Sequence, residues 1–128
     1  MSGYTIKNLK QVDDSATQFG LSPNLEARFA RKPLDGKNAG LSYQRLAPGF
    51  RVPFGHTHET QEEIYVVVSG SGRLKLDDEV VDVQQWDAIR VAPRTMRNWE
   101  AGPDGLEFVA FGAGRAGDAE MTQDWWSD

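Results

Sequence analysis

The sequence predicts an all-β protein, an antiparallel sandwich or barrel preceded by one short helix. From Leu41 onward, apolar and polar residues alternate with period two in many short runs. Turn-forming residues separate these runs, and most of the thirteen glycines lie between them. No window after residue 40 keeps the spacing of an amphipathic helix. A chain of 128 residues can bury one core, so we expect a single domain.

The first forty residues are polar and are expected to contain the helix. Ser22 can cap it, Pro23 suits the first helical position, and Leu25 and Phe29 share a face at spacing four. The turn formers of "PLDGKNAG" then predict a loop. The expected organisation has three parts: an N-terminal segment packed on the barrel (1–40), the barrel (41–112) and a C-terminal tail (113–128).

The strand candidates follow one another at short intervals. "SGSG" at 69–72 is expected to end one strand in a hairpin turn, and "GPDG" at 102–105 to separate the last two. The candidates in chain order are 41–47, 62–68, 73–77, 79–84, 87–92, 95–101 and 106–112.

One of these strands, "IYVVV", is apolar on both faces. Tyr65 and Val67 share one face, and Ile64, Val66 and Val68 share the other. A strand of this kind is normally covered on both sides. The barrel interior covers one side, and either the N-terminal segment or a second subunit covers the other, so a homodimer is expected.

Composition excludes several classes of protein. The net charge is −5 and the pI is near 5.0, which argues against a nucleic-acid partner. The absence of cysteine excludes disulfides, thiolate metal sites and a cysteine nucleophile. The sequence has neither a signal-peptide pattern nor an apolar run of about 20 residues, so we expect a cytoplasmic protein without membrane contact.

Both histidines of the chain lie in "FGHTHETQEE". In a strand, His56 and His58 point to one face and Thr57 to the other. "ETQ" makes a short reversal, and the next strand returns a carboxylate beside the two imidazoles. Two imidazoles and one carboxylate are a ligand set for Zn, Fe, Mn, Ni or Cu, with positions left for water or substrate.

Two adjacent glutamates compete to be the third ligand. Glu63 shares a face with Tyr65 and Val67 of the inward side, whereas Glu62 falls in phase with the opposite face. We therefore assign Glu63 to the site.

These residues resemble the characteristic first motif of the cupins. His56, His58, four residues, Glu63, six further residues and Gly70 fit that motif, and Gly49 precedes it with one residue more than usual. The resemblance extends over about residues 41–112. It implies a double-stranded β-helix, or jelly-roll, barrel with the site inside and a divalent transition metal such as Fe, Mn, Zn or Ni.

The second cupin motif usually supplies a fourth ligand, which is a histidine. In this chain the motif is degenerate, because it contains no histidine. In one register Arg97 occupies that position, and in the other Asn98 does. An arginine is always charged and cannot bind a cation. Three outcomes are open: a three-ligand metal centre, a metal centre in which Arg97 grips an acidic substrate, or a metal-free pocket in which Arg97 pairs with Glu63.

Three functional hypotheses follow. The first is a cupin that binds a small polar or acidic molecule at a metal held by His56, His58 and Glu63, with Arg97 and Tyr65 contacting that molecule. If it is an enzyme, the chemistry is oxygenation or isomerisation. The second is a metal-free binding or sensory barrel in which Arg97 holds an anionic ligand. The third is a structural dimerisation module.

Overall fold

In the computed structural model, residues 3–114 and 117–128 are described, and within these ranges eight strands form one curled antiparallel sheet. The segments expected at 1–40 and 113–128 each include two residues outside the described ranges. The strands are β1 Leu25–Phe29, β2 Ala39–Leu46, β3 Phe54–His58, β4 Glu62–Leu76, β5 Glu79–Gln84, β6 Ala88–Val91, β7 Arg97–Ala113 and β8 Ala119–Gln123.

Strand β7 holds the barrel together because it pairs with three other strands. Its C-terminal half lies between β2 and the first half of β4, so that Val109 faces Tyr43 and Ala110 faces Tyr65. Its N-terminal half pairs with the second half of β4 and, at Arg97, with His56 of β3. The all-β barrel that the sequence predicts is confirmed. Its sheet also includes β1 and β8, which precede and follow the expected barrel range of 41–112 in the chain.

Two stretches that the sequence assigns to turns lie inside continuous strands instead. Residues 69–72 belong to β4 and residues 102–105 belong to β7, where two register shifts bend the pair. The glycines are needed because the two backbones approach closely: a Cβ on Gly70, whose φ is +79°, would lie 2.1 Å from the carbonyl oxygen of Gly105. The hairpin turn expected at 69–72 is therefore wrong.

The helix expected between Ser22 and Phe29 is also wrong, since β1 occupies residues 25–29. A spacing of four fits a period of two as well as a helical turn, and Ala27 lies on the same face as Leu25 and Phe29. Leu25 and Ala27 are buried in β1, which lies at the edge of the sheet and pairs with β2. The helical structure in the described part of the chain consists of two 3₁₀ turns, Leu9–Gln11 and Ser15–Phe19.

A buried carboxylate links the N-terminal segment to the outer face of β1 and β2. Glu26 accepts from Lys10 Nζ and Arg28 Nε, both at 2.6 Å, and from Arg45 Nε at 3.1 Å. Burial alone would raise the pKa of Glu26, but these three cations lower it from 4.5 to about 2. Arg28 also donates to the carbonyl of Val12 at 2.5 Å, so one cluster fixes residues sixteen positions apart.

The core of the barrel packs around three aromatic rings. Trp99 stacks on Phe108 at 4.3 Å between centroids, and Tyr65 meets both rings edge-on. The outer face of β4 and β7 keeps apolar surface in the single chain, where Ile64 is 42% and Phe111 47% exposed. Among the described residues, no helix is long and apolar enough to span a membrane.

Candidate metal centre

The two histidines of β3 point into the barrel as the alternation predicts. The Nε2 atoms of His56 and His58 lie 3.6 and 3.4 Å from Oε1 of Glu63, and the imidazole rings are nearly perpendicular, with centroids 5.2 Å apart. A strand partner explains the placement of His56, which faces Arg97 of β7 across the ladder. The three side chains thus converge from two strands that are close in sequence.

The structure distinguishes the two competing glutamates. Glu62 lies on the outer surface, where its carboxylate accepts from Arg90 Nε at 2.7 Å. Glu63 faces inward, mostly buried, and accepts from the hydroxyl of Tyr65 at 2.5 Å. That hydrogen bond orients the carboxylate towards the two imidazoles.

The donor set fits a divalent transition metal. One nitrogen from each of His56 and His58 and one oxygen of Glu63 all lie within 4.8 Å of one another. Ligands bound at about 2.1 Å in tetrahedral geometry lie about 3.4 Å apart, close to the two nitrogen–oxygen separations here. Two imidazoles and one carboxylate leave further coordination positions for a ligand.

Asp118, in the segment before β8, holds one of these imidazoles in place. Its Oδ1 lies 2.8 Å from Nδ1 of His58, and its Oδ2 accepts from the backbone N–H and the hydroxyl of Thr60 and from the backbone N–H of Gln61. An ionised carboxylate only accepts, so Nδ1 carries a proton, and in the neutral imidazole that binds a metal the Nε2 lone pair of His58 faces Glu63.

Residues before and after the expected barrel complete the cavity in front of the site. Its volume is about 300 Å³, and the two histidines and Glu63 form part of its wall. Most of its wall is apolar, and much of that comes from the second 3₁₀ turn, β1 and β8. The apolar wall includes Phe19, Leu21, Leu25, Phe29, Phe54 and Met121.

Comparison with known proteins decides the family. A model of the cupin domain matches residues 42–110, more than half of the chain. The chain belongs to the cupin family. This confirms the resemblance drawn from the first motif and the double-stranded β-helix expected with it.

Solved structures support the same fold for this cupin. It is 27% identical to a cupin protein from Bacteroides fragilis, with a TM-score of 0.73 and coverage of 100% of this chain and 99% of that chain. Two further structures share the fold at lower identity. A protein with a double-stranded β-helix domain from Klebsiella pneumoniae is 16% identical, with a TM-score of 0.72 and coverage of 92% and 96%. Oxalate decarboxylase from Bacillus subtilis is 21% identical, with a TM-score of 0.75 and coverage of 94% and 34%.

One curated relative matches over a short stretch. An uncharacterised protein of Methanocaldococcus jannaschii is 42% identical over 40 residues, which are 31% of this chain. The matched part spans 32% of that relative's length, about a third.

Arg97 is the residue of this cupin that departs most from the usual ligand set. It is 0% exposed, its Nη2 lies 3.8 Å from Glu63 Oε1, and its three guanidinium nitrogens have no hydrogen-bond partner within residues 3–114 and 117–128. Asn98, the alternative position, donates to the carbonyl of Val52 and accepts from the backbone N–H of Trp99. The structure therefore brings Arg97 to the site, whereas the side-chain amide of Asn98 is hydrogen-bonded to backbone groups.

The pKa values of the two histidines of this cupin are shifted in opposite directions. Burial lowers the pKa of His56, and the charge of Arg97 adds to that shift. Burial would also lower the pKa of His58, but contacts with Glu63 and Asp118 outweigh it and raise that pKa. For Glu63, burial is outweighed by His56, His58 and Tyr65, so its pKa is lowered and the carboxylate is ionised at neutral pH.

Sequence reasoning found the three converging residues and Tyr65, which is buried beside Glu63, but missed Asp118. The tail gave no local signal, because Asp118 stands sixty positions from its partner His58 and no spacing relates the two. Only the pairing of β8 with β3 brings it to the site.

Proposed function

We propose that this cupin binds a small polar or acidic molecule at a divalent transition metal held by His56, His58 and Glu63. The observation that carries the proposal is the convergence of these three donors on the wall of a cavity. A bound divalent ion would polarise an oxygen of the ligand or, if redox-active, activate dioxygen. If the protein is an enzyme, oxygenation or isomerisation is the reaction class that this chemistry favours.

The protein's own residues would then have separate tasks. Asp118 keeps the Nε2 lone pair of His58 directed at the site, and Tyr65 orients Glu63 through its hydroxyl. The mainly apolar cavity wall would limit hydrogen bonding of water around the open coordination positions.

Titration calorimetry on metal-stripped protein tests the proposal. Zn²⁺, Mn²⁺ and Ni²⁺ are added in turn, and about one equivalent per chain is expected. The adjacent glutamates provide a matched pair of variants: Glu63→Gln is expected to abolish binding, and Glu62→Gln to leave it unchanged. Less than about a tenth of an equivalent in the unmodified protein, or equal effects of the two variants, would overturn the proposal.

A second candidate is a metal-free binding barrel, supported by the 3.8 Å contact between Arg97 and Glu63. In that case the arginine takes the place of the cation and an anionic ligand binds without metal. Ligand binding that survives a chelator and disappears in Arg97→Ala would favour this candidate.

We also propose a homodimer formed through the outer face of β4 and β7, where Ile64 and Phe111 keep about half of their surface in the single chain. Sedimentation velocity is expected to give a dimer, and Ile64→Lys to shift it to monomer. A monomer at all concentrations would contradict this assembly and remove the basis for the dimerisation hypothesis.

A further inference from the structure

We propose that the ligand is a small monocarboxylate with an apolar body, and that Arg97 makes its binding and metal binding mutually dependent. This rests on the proposed function and adds two properties to it. The apolar body is inferred from the cavity wall, and the single negative charge from the buried charges around the site.

The cavity wall selects against a fully polar ligand. The donor atoms of His56, His58 and Glu63, which can meet a ligand's head at a bound metal, lie within 4.8 Å of one another on the cavity wall. The rest of the wall is mainly carbon, with Leu21 after the second 3₁₀ turn, the buried Leu25 of β1 and the partly buried Phe54 of β3. Polar groups placed against such a wall would lose water without gaining hydrogen bonds, whereas an apolar body is favoured there.

The charges around the site leave one positive charge once a divalent ion is bound. Glu63 lies beside the guanidinium of Arg97, and Asp118 accepts hydrogen bonds from His58, Thr60 and Gln61, so both carboxylates are ionised, and Arg97 is cationic. With neutral imidazoles as ligands these three groups sum to −1. A divalent ion changes the sum to +1, and one bound monocarboxylate returns it to zero.

Arg97 cannot relieve the repulsion by moving into solvent. Its side chain is 0% exposed, and its backbone is paired on both sides, with His56 of β3 and Leu76 of β4. Its guanidinium has no hydrogen-bond partner in the described residues that would spread its charge. A metal ion therefore meets a fixed positive charge, and an anion at the open coordination positions reduces this repulsion.

A second cation, Arg31, lines the cavity. Among the residues that line the cavity, Arg31 and Glu63 carry the formal charges at neutral pH, and Arg31 is anchored by carbonyls of Lys37 and Gly114. An anion in the cavity is therefore attracted by this cation as well as by Arg97.

Three probes separate the two properties: phenylacetate, its neutral isostere phenylacetamide, and acetate, which lacks the apolar body. Calorimetry measures the affinity of each for metal-stripped and for zinc-loaded protein. Phenylacetate is expected to bind the zinc-loaded protein at least about tenfold more tightly than either of the other two. It is also expected to raise the affinity for Zn²⁺ by the factor by which Zn²⁺ raises its own affinity.

Arg97→Gln tests the origin of this dependence. The variant is expected to bind Zn²⁺ more tightly than the wild type in the absence of carboxylate, and the mutual enhancement is expected to fall by about tenfold. If this variant does not fold, Arg97→Lys is measured instead; it keeps the charge and is expected to keep both the weak Zn²⁺ affinity and the mutual enhancement, and loss of the enhancement in it would refute the charge argument. Arg90→Gln, which removes an exposed arginine from the outer surface, is the matched control and should change neither affinity.

The outcomes distinguish this inference from the proposed function. Failure of Zn²⁺ to bind would contradict the proposed function. Zinc binding with equal affinities for phenylacetate and phenylacetamide would refute the charge argument alone. Equal affinities for acetate and phenylacetate would refute the apolar body, and phenylacetate binding that is independent of Zn²⁺ would refute the coupling.

Discussion

The contact between Asp118 and His58 makes a specific prediction for Asp118→Asn. Oδ2 of Asp118 accepts from three donors of Thr60 and Gln61, so the oxygen of an asparagine would occupy that position. Its amide NH₂ would then face Nδ1 of His58. An NH₂ group only donates, so His58 would have to accept at Nδ1 and carry its proton on Nε2. The nitrogen that faces Glu63 would no longer offer a lone pair.

The size of the effect follows from the bonds that are lost. Removing a carboxylate that orients a metal-binding histidine typically costs 10- to 100-fold in metal affinity, or about 1.4 to 2.8 kcal/mol. The acceptor at Oδ1, which serves His58 at 2.8 Å and Gln61 Nε2 at 3.1 Å, is also lost. The free energy of unfolding is therefore expected to fall by about 1 to 3 kcal/mol.

Two measurements check this prediction. Long-range ¹H–¹⁵N NMR on metal-free protein, at a pH high enough for His58 to be neutral, is expected to show its Nδ1–H tautomer in the wild type and its Nε2–H tautomer in Asp118→Asn. Zinc titration then gives the loss of affinity. Asp124→Asn, which removes the same charge from an exposed position of the same tail, is the control. An unchanged tautomer, or equal zinc affinities for Asp118→Asn and the wild type, would refute the reasoning.

Three further substitutions test the rest of the structure. Glu26→Gln is expected to lower the free energy of unfolding by about 2 to 3 kcal/mol at neutral pH, since the pKa of Glu26 falls from 4.5 to about 2 on folding. The stabilisation is complete above pH 4.5 and is lost as the pH falls through 2, so urea unfolding at several pH values should show the wild type and the variant converging in acid. Gly55→Ala would place a Cβ 2.6 Å from Cε3 of Trp125, and thermal unfolding is expected to show a loss of about 1 to 3 kcal/mol. Tyr65→Phe removes the hydroxyl that donates to the site carboxylate, so unfolding should show a loss of about 1 to 2 kcal/mol while calorimetry shows a zinc affinity changed by less than about tenfold.

For each of these three predictions, one result would contradict the reasoning. A difference between the wild type and Glu26→Gln that is unchanged at pH 2 would refute the ion-pair explanation. Gly3→Ala, which adds a Cβ in open space, should be neutral, and an equal loss there would show that the effect at Gly55 is not steric. Abolition of zinc binding by Tyr65→Phe would mean that the hydroxyl belongs to the donor set.

The side chains that point into the barrel could be predicted, because side chains alternate between the two faces of a strand. His56 and His58 are two residues apart, and Glu63 and Tyr65 are two residues apart, so the period of a strand fixes which side each faces. Asp118 could not be predicted, because its contact depends on how the tail returns to β3.

The two errors in local structure also have physical causes. Leu25 and Phe29 are four positions apart, a spacing that fits both a strand and a helix. The pairing of β1 with β2 at the edge of the sheet makes this segment a strand. The glycines at 70 and 72 were expected to reverse the chain, but they let β4 bend against β7 without ending it. In both cases a distant strand determined the conformation.

Anomalous diffraction at the zinc edge from crystals grown with Zn²⁺ is the most direct test of the central claim. One strong peak is expected inside the barrel, about 2.0 to 2.2 Å from Nε2 of His56, Nε2 of His58 and a carboxylate oxygen of Glu63. Zinc bound only at surface carboxylates, with the two imidazoles turned away from each other and Glu63 paired to Arg97, would contradict the account.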